Sequence, residues 1–392
     1  NILCGFRHRV FYDLARERVD MLPALQKSLS DALIEVSEKW LKTDRVLTLP
    51  GLEREFFCTL LLSQLGLPPL LRVHVLAILV CLYAQIGFFA KARPFAEYLE
   101  NFLPDDGGIS IELVPTLNQV TIIELFLSLG RSHAAERLAR ALNQNLLLDI
   151  ADHGETAERL HELSIAQQSA GDVLRALDRT QEALELYRAA LATYERNLKD
   201  FGKNEARLFD LSVSQERVAE ILFEDKPQDA LALYRTSLAT RENILIEFGE
   251  TAHRLSGVAI SQENVGSTLF KLGQPQEALQ LYRTALATHE CILHEFGETI
   301  SRLCNVSRSQ DHVADALFAL GQPQEALQLY RTALATHERI LRQFGEAESR
   351  LCKVSASQFR VGDVLFSLKQ WQEALALYRA ALTIYERILL EF

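Results

Sequence analysis

The feature that most constrains this chain is its resemblance to itself. The dipeptide Arg-Leu recurs at Arg159-Leu160, Arg207-Leu208, Arg254-Leu255, Arg302-Leu303 and Arg350-Leu351, at intervals of 48, 47, 48 and 48 residues. Tyr187, Tyr234, Tyr282, Tyr330 and Tyr378 keep the same count. A period of this length implies stacked supersecondary units, each unable to bury its apolar face alone. The single interval of 47 comes from one residue missing between Leu222 and Ala230, which marks a turn between two helices.

Each copy contains two amphipathic segments. In the third copy the second segment sets Ala278, Ala285 and Ile292 on one stripe with Leu279, Leu286 and Leu293 beside it, a helical spacing with an apolar arc wide enough to meet two neighbours. Pro227, Pro275 and Pro323 stand where that helix begins, since the first turn needs no N–H from them. Gly202, Gly249, Gly297 and Gly345 follow Phe where it must stop. In the first segment Gln167, Gln215, Gln262, Gln310 and Gln358 recur, with Ser214, Ser261, Ser309 and Ser357 before the last four. A polar ladder of this uniformity reads as hydrogen bonding between adjacent copies more readily than as a ligand surface.

Composition narrows the function. The chain has 41 Lys and Arg against 52 Asp and Glu, a net charge of −11, and most of the excess lies after residue 150. Nothing in it resembles the basic face that phosphate neutralisation requires, so nucleic acid and anionic membranes are not expected partners. The apolar run 75–90 is short for a bilayer span and is broken by Gln85 and Gly87, so it reads as a buried helix. Six scattered cysteines without a CxxC pair imply free thiols and a reducing, cytoplasmic setting. Cys304 and Cys352, one copy apart, read as small packing residues.

The signatures of catalysis are missing: GxxxxGK[ST], HExxH, GxSxG and an EF-hand run do not occur. No enzyme activity, cofactor or metal site is expected. His153-Gly154 occupies the slot of Phe201-Gly202 and Phe248-Gly249, so it is repeat register and not a catalytic pair. His289 shares its slot with Tyr194, Arg241, His337 and Tyr385, an interchange that suggests the partly exposed edge of a stripe.

The pattern Gly266-x2-Leu269-x8-Ala278-x3-Tyr282-x2-Ala285, repeated with local changes in five copies, resembles the tetratricopeptide repeat. The length departs from that family: 48 residues in place of 34 lengthens each helix by about two turns, as in arrays of large bacterial multidomain proteins. The resemblance implies an all-α, right-handed superhelical solenoid of antiparallel helix pairs. It covers residues 151–392 as five tandem copies, with the array breaking off inside the fifth, so the chain reads as a fragment. Residues 70–150 read as two degenerate hairpins, around Tyr83, Gly87 and Ala92 and around Phe126, Gly130 and Ala135, and residues 1–69 as helical and of uncertain type.

In such arrays the first helix of each pair lines a concave groove. Carried over by this resemblance, one groove row is Gln168, Glu216, Glu263, Asp311 and Phe359; a second is Asp172, Glu220, Ser267, Asp315 and Asp363; a third is Arg175, Phe223, Phe270, Phe318 and Phe366. The resemblance thus implies a scaffold that binds protein or peptide segments, and the acidic, phenylalanine-lined face suits a basic partner with apolar anchors. The alternative is a sensor arm of a larger effector, attached to a nucleotide switch or a caspase-like protease.

Overall fold

The computed structural model describes residues 114 and 116–391 with scattered positions between 73 and 103. The helical region expected over residues 1–69, and the hairpin expected around Tyr83, Gly87 and Ala92, lie outside the described residues. Among the described residues all regular structure is helical. Contacts divide the chain into two units, residues 1–197 and 198–392. In the first, α1 (Thr116–Ser128), α2 (Ser132–His153) and α3 (Ala157–Ala176) pack on one another, and α4 (Thr180–Phe201) runs across the boundary. Phe126, Ala135, Leu138 and Leu142 are fully buried in that unit's core.

The second unit is a succession of pairs: α5 (Glu205–Asp225) with α6 (Pro227–Phe248), α7 (Ala252–Lys271) with α8 (Pro275–Phe296), α9 (Ile300–Ala319) with α10 (Pro323–Phe344), and α11 (Glu348–Ser367) with α12 (Trp371–Glu391). Each helix packs chiefly on its predecessor and its successor, so the core is a continuous seam and not a centre. Ala278, Ala285 and Ile292 sink into it at 0, 0 and 3 % exposure, as their spacing predicts.

The residues of the sequence signature account for each other. A Cβ on Gly266 would sit 2.7 Å from Cε1 of Tyr282, so a residue without one lets the two helices of a pair close on that ring. Pro227, Pro275 and Pro323 open α6, α8 and α10. Gly297 closes α8 at φ +78°, a left-handed conformation that a side chain disfavours. The missing residue of the second copy is the left-handed one: Gly273 and Gly321 turn the chain at φ +77° and +76°, whereas Lys226 makes that turn at φ −135°.

The Arg of the Arg-Leu dipeptide, which the sequence used only as a register mark, is a fastener between copies. Its guanidinium donates to the last carbonyls of the preceding second helix and to the closing glycine: Arg207 to Phe201 and Gly202 at 2.6 and 2.9 Å, Arg254 to Phe248 and Gly249 at 2.7 and 3.1 Å, Arg350 to Phe344 and Gly345 at 2.6 Å each. Arg159 and Arg302 repeat the arrangement. A cation at a helix C-terminus meets orphan carbonyls and the negative end of the dipole together. The same arginines' backbone N–H groups donate to the N-cap side chains of Thr156, Asn204, Thr251 and Thr299. The signal was present as G-x-[TN]-x-x-R-L at four of the five dipeptides.

Candidate interaction face

Helices α3, α5, α7, α9 and α11 carry the three rows, and the structure gives each row a different role. Glu216, Glu263 and Asp311 are buried, at 9, 3 and 7 % exposure, not displayed. Burial follows from what covers them. Glu216 accepts from Ser237 at 3.0 Å and Arg241 at 2.7 Å within its own copy, and from Ser261 of the next copy at 2.7 Å. Glu263 accepts from Ser309 and, at 3.0 Å, from Arg308 Nε, both in the copy that follows, while His289 lies 4.0 Å away. Asp311 pairs with Arg360 of the next copy.

These carboxylates are therefore rungs of an inter-copy ladder. Ser261 and Ser309 supply the hydrogen bonds between adjacent copies that their recurrence predicts. The glutamines differ: Gln167 accepts from Thr193 of its own copy at 3.2 Å. Arg241, His289 and His337 are buried, at 7, 2 and 7 % exposure, and are not the exposed stripe edge that their interchange suggested. Arg241 and His289 each face a buried acid, Glu216 and Glu263. Burial raises the Glu263 carboxyl above its ordinary range even beside Arg308, and pushes Asp311 up to about 7. Burial likewise pushes His289 and His337 down to about 4, which keeps both rings neutral.

The second row bonds inward through one oxygen. The phenol of Tyr187 donates to Asp172 at 2.6 Å, that of Tyr378 to Asp363 at 2.7 Å, and Tyr330 bonds Asp315 in the same way; Ser267 takes this place opposite Tyr282 at 3.1 Å. Glu220 is exposed and lies 3.5 Å from Arg217. The third row is the outermost. Phe223 and Phe270 are half-buried, with the Lys271 ammonium 4.6 Å from the Phe223 ring. Phe318 and Phe366 are exposed, at 39 and 55 %, and Trp371 meets the Phe366 ring edge-on at 4.7 Å. Each phenylalanine lies three residues after its second-row partner, hence on the same helix face.

Among the described residues no three His, Cys, Asp or Glu side chains gather as metal ligands would, and no helix is long and apolar enough to cross a membrane. A family model described as tetratricopeptide repeat matches residues 166–201, 258–293, 306–342 and 360–391. No curated protein matches. Among solved structures the chain is similar to BtubC from P. vanneervenii, with 16 % identity, 68 % of this chain and 92 % of that one covered, and a TM-score of 0.50. It is also similar to apo RapI, with 10 % identity, coverage of 82 and 99 % and a TM-score of 0.53. A third is a signal-transduction ATPase of Pyrococcus horikoshii with a tetratricopeptide repeat sensor, at 13 % identity, coverage of 91 and 52 % and a TM-score of 0.52. At these identities the likeness is one of fold.

Proposed function

We propose that this chain, four stretches of which match a tetratricopeptide repeat model, is a non-enzymatic scaffold that holds protein segments along the face built by α5, α7, α9 and α11. The observation that carries this reading is the recurrence of an acid and an aromatic on one face, Asp315 with Phe318 and Asp363 with Phe366, with both rings exposed. An exposed ring supplies area that a partner can desolvate, and a neighbouring carboxylate selects a basic residue beside the partner's apolar anchor. The acidic character is carried by Glu220, Asp315 and Asp363, because Glu216, Glu263 and Asp311 are spent on stacking.

Selection of displayed peptides on the purified chain tests this. Enriched segments are expected to pair Lys or Arg with an apolar anchor, and Phe318→Ala with Phe366→Ala is expected to weaken them on the order of tenfold or more. Enrichment without a basic residue, or binding indifferent to both substitutions, would overturn the reading.

A further inference from the structure

One lysine of the array shows what its row of phenylalanines can hold. The Lys271 ammonium, on the third copy, lies 4.6 Å from the centre of the Phe223 ring of the second and pairs with Glu224 beside that ring. A cation over an aromatic face is attracted by the ring's quadrupole, and the neighbouring carboxylate keeps it there. The chain thus seats a lysine of its own on one member of the row.

Two copies later Ser367 holds the slot of Lys271, one copy beyond Phe318 as Lys271 is one copy beyond Phe223. The Ser367 hydroxyl donates back to the Val364 carbonyl at 2.7 Å, and Phe318 stands 39 % exposed. Ala319 replaces Glu224 there, so the negative charge comes from other residues. Asp315 precedes Phe318 by three residues on α9, and Asp363 precedes Ser367 by four on α11, spacings that share a helix face. Each accepts from a tyrosine phenol, a neutral donor that does not offset its charge. The cations of both helices are engaged elsewhere: Arg302 and Arg350 on helix-end carbonyls, Arg308 on Glu263, and Lys353 at Cys304. Arg360 also acts electrostatically on Asp315 but is bonded to Asp311.

We propose that Phe318 receives the ammonium of a lysine from a bound protein segment, seated on its ring beside Asp315 and Asp363 as Lys271 is seated on Phe223 beside Glu224. The basic residue of the segment is then the occupant of this ring and not the neighbour of an apolar side chain placed there. The apolar anchor falls to the next copy, where Phe366 meets Trp371 edge-on and both are exposed. A segment that fits both sites carries a lysine and an apolar residue at positions one copy apart along the face.

This proposal rests on the reading that the array binds protein segments, and its test separates the two. Two fluorescent peptides, Leu-Ser-Lys-Ser-Leu and the same peptide with norleucine for lysine, are titrated onto the intact chain and its variants. Norleucine keeps the aliphatic stem and lacks the ammonium. Ser367→Lys installs the residue of the third copy opposite Phe318, so that the chain competes for its own site. Phe318→Leu keeps the apolar area and removes the aromatic face. The parent is expected to bind the lysine peptide roughly three- to tenfold more tightly than the norleucine peptide. Each single variant is expected to abolish that preference while circular dichroism stays unchanged. Norleucine binding as tightly as lysine overturns the cation site and leaves the scaffold reading resting on apolar contact. A lysine preference that survives both single variants also overturns it. If Phe318→Ala with Phe366→Ala leaves both peptides bound as in the parent, the row is not the binding surface and both readings fall.

Discussion

Two successive junctions of the array solve one problem with different chemistry. Where α5 and α6 meet α7, the buried carboxylate of Glu216 faces the permanent cation Arg241 and the hydroxyl of Ser261. One copy later Glu263 faces His289, a neutral ring, and draws its cation from Arg308, whose side chain is 44 % exposed. The first junction closes its charge inside one copy; the second borrows charge from the next copy. Near-identical helices thus differ in what removal of one group exposes, and this difference can be measured.

The largest effect is expected from Arg241→Ala, which strands the Glu216 carboxylate in a buried site. Breaking a buried pair by removing one partner costs about 3–5 kcal/mol, read as a shift in urea midpoint and as loss of amide protection in α5–α7. His289→Ala should cost roughly half as much, within the ordinary range for core substitutions, since Glu263 keeps Ser309 and Arg308. The double change Glu216→Gln with Arg241→Tyr installs the residues of the first copy, Gln168 and Tyr194, and should restore most of the loss. Equal losses at the two junctions would break the comparison.

Acid sharpens it next. His289 and His337 lie at about 4 in the folded chain against an ordinary 6.5, so the unfolded chain binds more protons between those values and stability falls as pH drops through that window. Asp311, raised to about 7, and Glu263, raised as well, act in the opposite sense: their stabilising contribution is complete below the ordinary carboxyl range and is lost as pH rises toward 7. His312, also lowered to about 4 by burial, adds to the histidine side, while Asp315 and Glu162, raised by burial, add to the carboxyl side. His289→Tyr with His337→Tyr, the residue of the first and last copies, should flatten the fall in melting temperature between pH 6.5 and 4. An unchanged slope would mean that these rings carry no part of it. The Glu216 junction has no buried histidine and should hold its amide protection through the same window.

How much of this was legible beforehand follows from the reach of a helical period. Period and spacing showed which residues share a face, so the pairs, the Pro starts and the Gly stops could all be placed. They could not show what another helix lays over that face. Glu263 shares a stripe with Gly266, Ser267 and Phe270, yet its partners His289 and Ser309 lie 26 and 46 residues further on. An acid at the buried end of that stripe and one at its open end look alike in sequence, which is why Glu216, Glu263 and Asp311 were grouped with Glu220, Asp315 and Asp363. The arginine fastener was missed for a related reason: its acceptors are backbone carbonyls, which have no letter in the sequence.

That fastener separates the junctions by a smaller margin. Arg254 bonds two carbonyls and also holds Glu205 through both oxygens at 2.7 Å, whereas the residue opposite Arg302 in the preceding copy is Ala252. Arg302→Ala should cost about 1 kcal/mol for its partly exposed hydrogen bonds. Arg254→Ala should lower the melting temperature further, and Glu205→Gln should remove the difference. Identical losses for both arginines would show that the pair of Arg254 with Glu205 is only solvated.

The smallest expected effect lies inside a copy. Gly266 and Tyr282 make the closest approach in the third copy, where an added Cβ would fall 2.7 Å from the ring and force it to move. That distance alone argues for a severe penalty. The second and fourth copies argue otherwise, since Ala219 and Ala314 stand opposite Tyr234 and Tyr330, both fully buried alanines beside buried rings. Those pairs accommodate the alanine, with Tyr330 still bonded to Asp315. Alanine in a helix interior gains about 1 kcal/mol over glycine, which should offset the displacement of Tyr282. Gly266→Ala is therefore expected to leave the urea midpoint nearly unchanged, while Gly266→Val, whose branches no copy accommodates, should lower it clearly. A large loss for alanine would mean that the third copy holds its tyrosine more rigidly than its neighbours do, through the His312 ring stacked on it at 4.9 Å.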